Sequence, residues 1–278
     1  MPWGDLSLPY QERIEDKTFR LTVELLDPGD TELLRRYLVE HPGLVEQRVI
    51  FEGGNYFQNP ALLEFVAENP IRHGTLPANI VEVAKVILDA EAGRDESALD
   101  ATLGLVCSGC VTRECHVQGA LIELLCDYGA NPQSAMLPAL AHGEFEAVEN
   151  LLRRGAPVDL VAAAALGRVE DARRQLSCAS AEDRHRALAL ASQFGHAVVV
   201  RLLLDAGEDA NRYNPAGCHS YFFPLHQAAS GGHEETVRLL VERVAHLDTK
   251  DTLWQATPAG WARHAGMKQI QHYLTSTP

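Results

Sequence analysis

The residues of this 278-residue chain with the clearest chemical potential are a run of cysteines and a histidine, Cys107-Ser108-Gly109-Cys110 followed by Cys115-His116. A Cys-x-x-Cys pair with one further cysteine and a histidine offers the ligand types of a tetrahedral zinc site. The spacing argues against it. Four ligands inside ten residues would need a very tight knuckle, and Cys107 is expected to turn inward from the end of a helix. Ordinary buried or surface thiols are the simpler reading, so neither a metal nor any other cofactor is expected.

Twelve histidines raise the question of acid–base catalysis. No Gly-x-Ser-x-Gly, His-Glu-x-x-His, phosphate loop or dinucleotide fingerprint accompanies them. Gly53-Gly54-Asn55 lacks a strand-to-helix context and signals only a turn. With no acid, base and nucleophile assembled, the chain is not expected to be an enzyme. Aromatic residues are few, at 6%, and they gather. The segment from Asn211 to Phe223 carries Tyr213, His219, Tyr221, Phe222 and Phe223, while Trp254 and Trp261 follow. Tyr56 lies in the earlier segment Phe51 to Phe57. Tyrosine and tryptophan on a pre-formed surface are the usual anchors of binding energy. Tyr213, Tyr221, Phe222, Trp254 and Tyr56 are therefore the candidate partner-binding residues, with Tyr221 and Phe222 expected at an exposed tip. The competing reading has some of these rings plugging a core.

The elements that would hold these residues show best at Phe223-Pro224-Leu225-His226-Gln227-Ala228-Ala229-Ser230-Gly231-Gly232-His233, followed by Val237, Leu239 and Leu240. Proline can start a helix with its φ already set and no amide donor wasted. Glycine lets the chain reverse between antiparallel helices without steric cost. Valine and paired leucines make an apolar stripe on a second helix. The same unit recurs at Gly195-His196, 37 residues earlier, and at Gly266, 34 residues later, where Thr257-Pro258 restores the start. This pattern resembles the ankyrin consensus Thr-Pro-Leu-His-x-Ala-Ala-x-x-Gly-His, whose period is about 33 residues.

Upstream, Gly143, Val148, Leu151, Leu152 and Gly155 make another unit, and Gly167 and Gly195 follow at spacings of 24 and 28 residues. Those spacings are short enough to imply trimmed fingers between persistent helix pairs. Before Met136 the pattern thins to Leu124-Leu125 with Gly129-Ala130, to Val86-Ile87-Leu88, and to Gly29-Asp30 with Leu33 and Leu34. Two turns look expanded, at 69–79 and 109–117, through either a purpose or tolerated drift. The resemblance implies an all-α ankyrin-repeat solenoid of about eight helix-pair units with short β-hairpin fingers. It also implies a single domain over 1–278, with residues 1–135 divergent and 136–278 consensus-like. In that family His196, His226 and His233 would organise turns. Phe223 would pack inward where threonine usually stands, and a concave face would bind proteins.

Net charge is −14, which disfavours a nucleic-acid backbone and favours a basic or apolar protein surface. The arginine-rich stretch from Glu144 to Arg186 holds seven arginines against eight carboxylates, the balance of a solvated mixed face. Apolar runs such as Val161 to Leu166 are far too short to span a membrane. Met1 to Asp5 shows no secretory start. Six unevenly placed cysteines suit free thiols in a reducing compartment. The expectation is a monomeric, cytoplasmic, non-enzymatic interaction module or adaptor. A regulator, inhibitor or immunity-type protein docking on a basic enzyme or toxin is the alternative. An unrecognised hydrolase would need a deep polar pocket that no motif announces.

Overall fold

The computed structural model describes residues 13–49, 59–69, 71–90, 95–243 and 245–277. Its contacts group into two compact units, Met1–Ala156 and Pro157–Pro278. The first contains α1 (Lys17–Glu24), α2 (Thr31–Glu40), α3 (Ile80–Ala90), α4 (Glu96–Ser108), α5 (Cys110–Glu114), α6 (Gln118–Asp127), α7 (Met136–His142) and α8 (Phe145–Arg153). The second contains α9 (Leu160–Ala165), α10 (Val169–Gln175), α11 (Ala181–Gln193), α12 (Ala197–Asp205), α13 (Pro224–Ser230), α14 (Glu234–Glu242), α15 (Pro258–His264) and α16 (Lys268–Ser276).

Capping residues set where many of these helices begin. Asp16, Asp30, Asp95, Asp159, Ser180 and Thr257 each accept a backbone N–H in the first turn of the helix that follows. Such caps satisfy donors that have no partner inside the helix. Pro224 and Pro258 fill first-turn positions. The helix ends are more regular still. Gly143, Gly167, Gly195, Gly232 and Gly266 all have φ between 66° and 78°. In each case the next N–H reaches back to an alanine carbonyl: Glu144 to Ala139, Arg168 to Ala163, His196 to Ala191, His233 to Ala228 and Met267 to Ala262, at 2.8–3.0 Å. This is the Schellman closure of a helix. The second helices close the same way onto leucine, with Ala130 to Leu125, Ala156 to Leu151 and Glu208 to Leu203. One turn ends on alanine and the next on leucine, so the repeat is a property of the backbone.

In the second unit α9, α11, α13 and α15 pack side by side as one layer, and α10, α12 and α14 extend a second layer behind them. Its core is built from Leu160, Leu188, Val200, Leu203, Leu225 and Leu240 among small alanines. All six residues of α9, Leu-Val-Ala-Ala-Ala-Ala, are buried. Side chains this small let neighbouring backbones approach closely. Histidines tie successive pairs together. Nε2 of His196 lies 2.9 Å from the Ala165 carbonyl oxygen, and Nε2 of His233 lies 2.8 Å from that of Gln193. Glycine is required under both rings. A Cβ on Gly167 would stand 2.6 Å from Nδ1 of His196, and one on Gly195 would stand 2.4 Å from Nδ1 of His233.

In the first unit the 3-10 helix Leu62–Ala67 packs with α4, and α4 with α7, while α3, α6 and α8 lie behind. Both expanded turns are structural. The one at 109–117 contains α5, held by Thr112 Oγ1 donating to the Val106 carbonyl. The one at 69–79 is pinned by the buried Arg72 guanidinium, which bridges Asp27 and Glu68. The fingers differ from the hairpins that the resemblance implies. Among the described residues the β pairing found is an isolated Arg48–Ala61 bridge, and the finger segments are built from turns.

Candidate functional site

Two successive fingers of the second unit carry most of the candidate aromatics. The first runs from residue 209 to 223, and its ends are joined by the Asn214 N–H donating to the Phe222 carbonyl at 2.7 Å. Asn214 Nδ2 then donates to Gln227 Oε1, and Gln227 Nε2 to Gln193 Oε1. This amide chain, buried at Asn214 and Gln227 and part-buried at Gln193, fastens the finger to the first-helix layer. The second finger is organised by Asp251, which is fully buried. Its carboxylate accepts from the backbone N–H groups of Leu253, Trp254 and Ala256 and from Trp261 Nε1. Burial alone would raise this carboxyl, but the donors from Trp254, Trp261, Ala256 and Leu253 outweigh it and hold it below its ordinary value of 3.8. Gln255 closes the turn in the left-handed region at φ 54°.

The fingers also hold each other. The Tyr213 hydroxyl donates to the Lys250 carbonyl at 3.0 Å, and the Thr252 N–H donates to the Tyr221 carbonyl at 3.2 Å. The rings form a continuous edge-to-face chain: Tyr221 on Phe222, Phe222 on Trp261, Trp261 on Trp254, and Trp254 back on Tyr221. Tyr213 rests on Phe223 with ring centroids 4.1 Å apart. Trp254 remains 62% exposed and Leu253 beside it 55%. Tyr213 is 42% exposed, and Tyr221 is half-buried.

Phe222 corrects an expectation. It is only 8% exposed, because the Asn214 bond draws residue 222 back to the finger's base and turns its ring onto Trp261. It is a plug and not a tip. Phe223 packs inward. Tyr56 lies outside the described residues. Trp261, which supports Trp254 from below, was not among the candidates. The recurring Thr257-Pro258 helix start places it on the first helix after the finger, one turn inside α15, but does not by itself mark it as the support of Trp254. An open cleft of about 230 Å³ lies beside the finger, lined by Gln193, His219, Tyr221, Phe222, Gln227, Ser230 and Gly231. It is smaller than the usual small-molecule pocket of about 300–1,000 Å³.

The other chemical candidates are engaged in structure. Cys107 is buried at the end of α4. Burial pushes its thiol far above the ordinary range, and burial pushes Cys218 up to about 11, which disfavours the thiolate that binds metal or attacks carbon. All six cysteines are free. Cys107, Cys110, Cys115 and His116 are not part of any group of three or more ligand atoms close enough to share a metal among the described residues. The ligand-type group found among the described residues is Asp27, Glu68 and His73. Arg72 already bridges both of its carboxylates, so a guanidinium takes the place a metal would need. In His226, Nδ1 faces the Phe223 N–H at 3.4 Å and Nε2 faces the Ala256 carbonyl at 3.1 Å. Its proton therefore sits on Nε2, and neither nitrogen is available as a catalytic base.

Comparison with known proteins agrees with the repeated turns. The family model described as ankyrin repeats (3 copies) matches residues 118–251. Cyclin-dependent kinase 4 inhibitor B of Bos taurus is 32% identical over 127 residues, covering 44% of this chain and 94% of that protein. With Schellman closures alternating between alanine and leucine and a relative matched over almost its whole length, the chain belongs to the ankyrin-repeat family.

Proposed function

We propose that the chain is a non-catalytic, cytoplasmic protein-binding module, and that the paired fingers of its second unit are the contact surface. Ankyrin repeats are an interaction architecture, and repeat stacking leaves fingers and first helices free to meet a partner. The observation that carries the choice of surface is Trp254. A tryptophan 62% exposed on a turn locked by Asp251 has no folding role that would explain its exposure. Its rigidity keeps the ordering cost of binding low. Free cysteines and the absence, among the described residues, of any helix long and apolar enough to cross a membrane are compatible with the compartment.

Site-specific photo-crosslinking tests the surface. A benzophenone side chain is placed at Trp254 or, as a control, at Val198, which is 56% exposed on α12. The expected result is a discrete protein adduct from position 254 and none from 198. Adducts from 198 alone would move the site to the second-helix layer and end this reading.

The bovine relative is named as an inhibitor of a kinase, which supports a second reading in which the partner is itself an enzyme. Its activity would then fall as the chain saturates it, and an unchanged activity at saturation would leave only the adaptor role.

A further inference from the structure

The cleft at the foot of the first finger is built to complete a hydrogen-bonded chain. It opens where the finger meets the first helices, between Gln193 on α11, His219, Tyr221 and Phe222 of the finger, and Gln227 and Ser230 on α13. At about 230 Å³ it has room for a side chain and not for a folded element. Its lining contains no acid, lysine or arginine. The Tyr221 ring stands edge-to-face on Phe222, with centroids 4.4 Å apart, and its other neighbour is the exposed Trp254, at 6.1 Å. The cleft therefore adjoins the exposed anchor of the fingers.

The carboxamides inside it are ordered head to tail. Asn214 Nδ2 donates to Gln227 Oε1 at 2.6 Å, and Gln227 Nε2 donates to Gln193 Oε1 at 2.8 Å. A primary amide nitrogen carries two hydrogens. Gln227 Nε2 uses one of them within the protein, and this side chain is only 6% exposed. A buried donor with a hydrogen to spare beside an open cleft gains most from an acceptor that enters the cleft. The Ser230 hydroxyl, half-buried on the same lining, can donate or accept.

These groups discriminate among side chains. A carboxylate would find no cation in the lining, and it would approach the charge of Asp251, which together with burial raises the Tyr221 hydroxyl above its ordinary value. An ammonium has donors only and would meet the Gln227 N–H with another donor. An aliphatic side chain would leave that N–H without an acceptor. A carboxamide satisfies both needs. Its oxygen accepts from Gln227, its nitrogen donates to the Ser230 hydroxyl, and its flat face packs on the aromatic wall.

We infer that this cleft receives an asparagine or glutamine side chain of the partner protein, which extends the Asn214–Gln227–Gln193 amide chain by one link beside Trp254. This rests on the fingers being the contact surface, and it names the residue type that locks there. Net charge then governs the encounter at long range, while the cleft selects an uncharged polar residue at contact.

The test uses the full chain and short fluorescein-labelled peptide pools read by anisotropy. The pools share randomised uncharged flanks and differ only at a central residue, which is Gln, Glu, Leu or Lys. Gln and Glu have the same shape, so their difference isolates charge and hydrogen bonding. The Gln pool is expected to bind about tenfold or more tightly than each of the others, the equivalent of one well-made hydrogen bond. Ser230→Leu, which fills the cleft, is expected to remove that preference with the melting temperature unchanged. Should Ser230→Leu destabilise the chain, the side-chain amide resonances of Gln227 in the unsubstituted protein give the same answer, moving with the Gln pool and staying fixed with the Leu pool. A Glu, Leu or Lys pool that binds as tightly as the Gln pool overturns the inference, as do Gln227 resonances that stay fixed when the Gln pool binds. Trp254→Ala separates the two levels of the argument. If the pools do not differ but all weaken in Trp254→Ala, the finger surface stands and the carboxamide cleft fails. If no pool binds, or none responds to Trp254→Ala or Ser230→Leu, both fail.

Discussion

Asp251 is the side chain on which the finger surface depends. Its carboxylate accepts three backbone N–H groups and one indole N–H in a fully buried position. Removing it leaves those donors without an acceptor, and hydrogen bonds to a charged group are individually worth about 1.5–3 kcal/mol. Asp251→Ala is expected to cost roughly 2–4 kcal/mol of stability in chemical denaturation. Phe222→Ala should cost roughly 3–5 kcal/mol, in the range of buried aromatic truncations. Trp254→Ala should leave the midpoint within about 0.5 kcal/mol, as at other surface sites. Equal losses at Phe222 and Trp254 would mean that both rings are core and that the exposed anchor is misplaced. The same contrast marks where residue-level reading of the sequence stops. Adjacent aromatics in a turn have no period to say which faces in, so Tyr221 and Phe222 look alike until the Asn214 bond is seen. Asp251 could have been found, since an aspartate two and three residues before accessible N–H groups is the usual opening of an Asx turn.

Helices were more legible than side chains because their boundaries are written in residue types. Gly195-His196, Gly232-His233 and Pro224-Leu225-His226 each encode a backbone event, and each event occurs. The first unit was harder for a physical reason. Its caps are aspartates, common residues that also occur in loops, and α5 is only five residues long, too short for any apolar stripe to recur. The trimmed spacings near Gly167 were interpretable, because a missing finger leaves the Schellman closures intact. One helix-pair junction departs from its neighbours in a way that can be tested. Where His196 and His233 bond to a carbonyl two residues before the preceding glycine, the last junction has Met267, whose Sδ would lie 3.0 Å from a Cβ on Gly232. A thioether cannot donate to the equivalent carbonyl, that of Ser230. Met267→His should place an Nε2–H there and stabilise the chain by about 0.5–1.5 kcal/mol, the net value of one such bond. Thermal unfolding would register this as a rise of a few degrees. A fall in the midpoint would show that thioether packing outweighs the bond at this junction.

Across the whole molecule, imidazoles held neutral should make stability sensitive to mild acid. Burial is the leading cause that lowers His185, His196 and His226 below the ordinary 6.5. The neighbours of each temper or add to that effect. Arg212 lowers His185 further, while Glu208, Asp209 and a backbone bond to Tyr213 oppose it. For His196 the Ala165 carbonyl opposes burial and His233 reinforces it. For His226 the Ala256 carbonyl, Asp251 and a backbone bond to Thr249 oppose it. Nε2 of His185 is buried without a hydrogen-bond partner, so a proton gained there would go unsatisfied. A histidine whose folded value is depressed is protonated first in the unfolded chain. Its contribution is therefore full above 6.5 and is lost as pH falls from 6.5 towards the folded value. Asp251 acts in a separate window, since its contribution is full above 3.8 and is lost only below it. Glu64, raised mainly by burial from its ordinary 4.5, works in the opposite direction, regaining stability as pH falls through its raised value. The melting temperature should thus be nearly flat from about pH 8 to 7 and decline below about pH 6.5, with net proton uptake on unfolding. Calorimetry in buffers of different ionisation enthalpy measures that uptake directly. His226→Gln should flatten the decline even if it lowers stability at neutral pH, because glutamine does not titrate. A melting temperature that stays constant from pH 7.5 to 5.5 would show that the buried imidazoles accept protons without strain and that the histidine junctions are not the acid-sensitive points of the array.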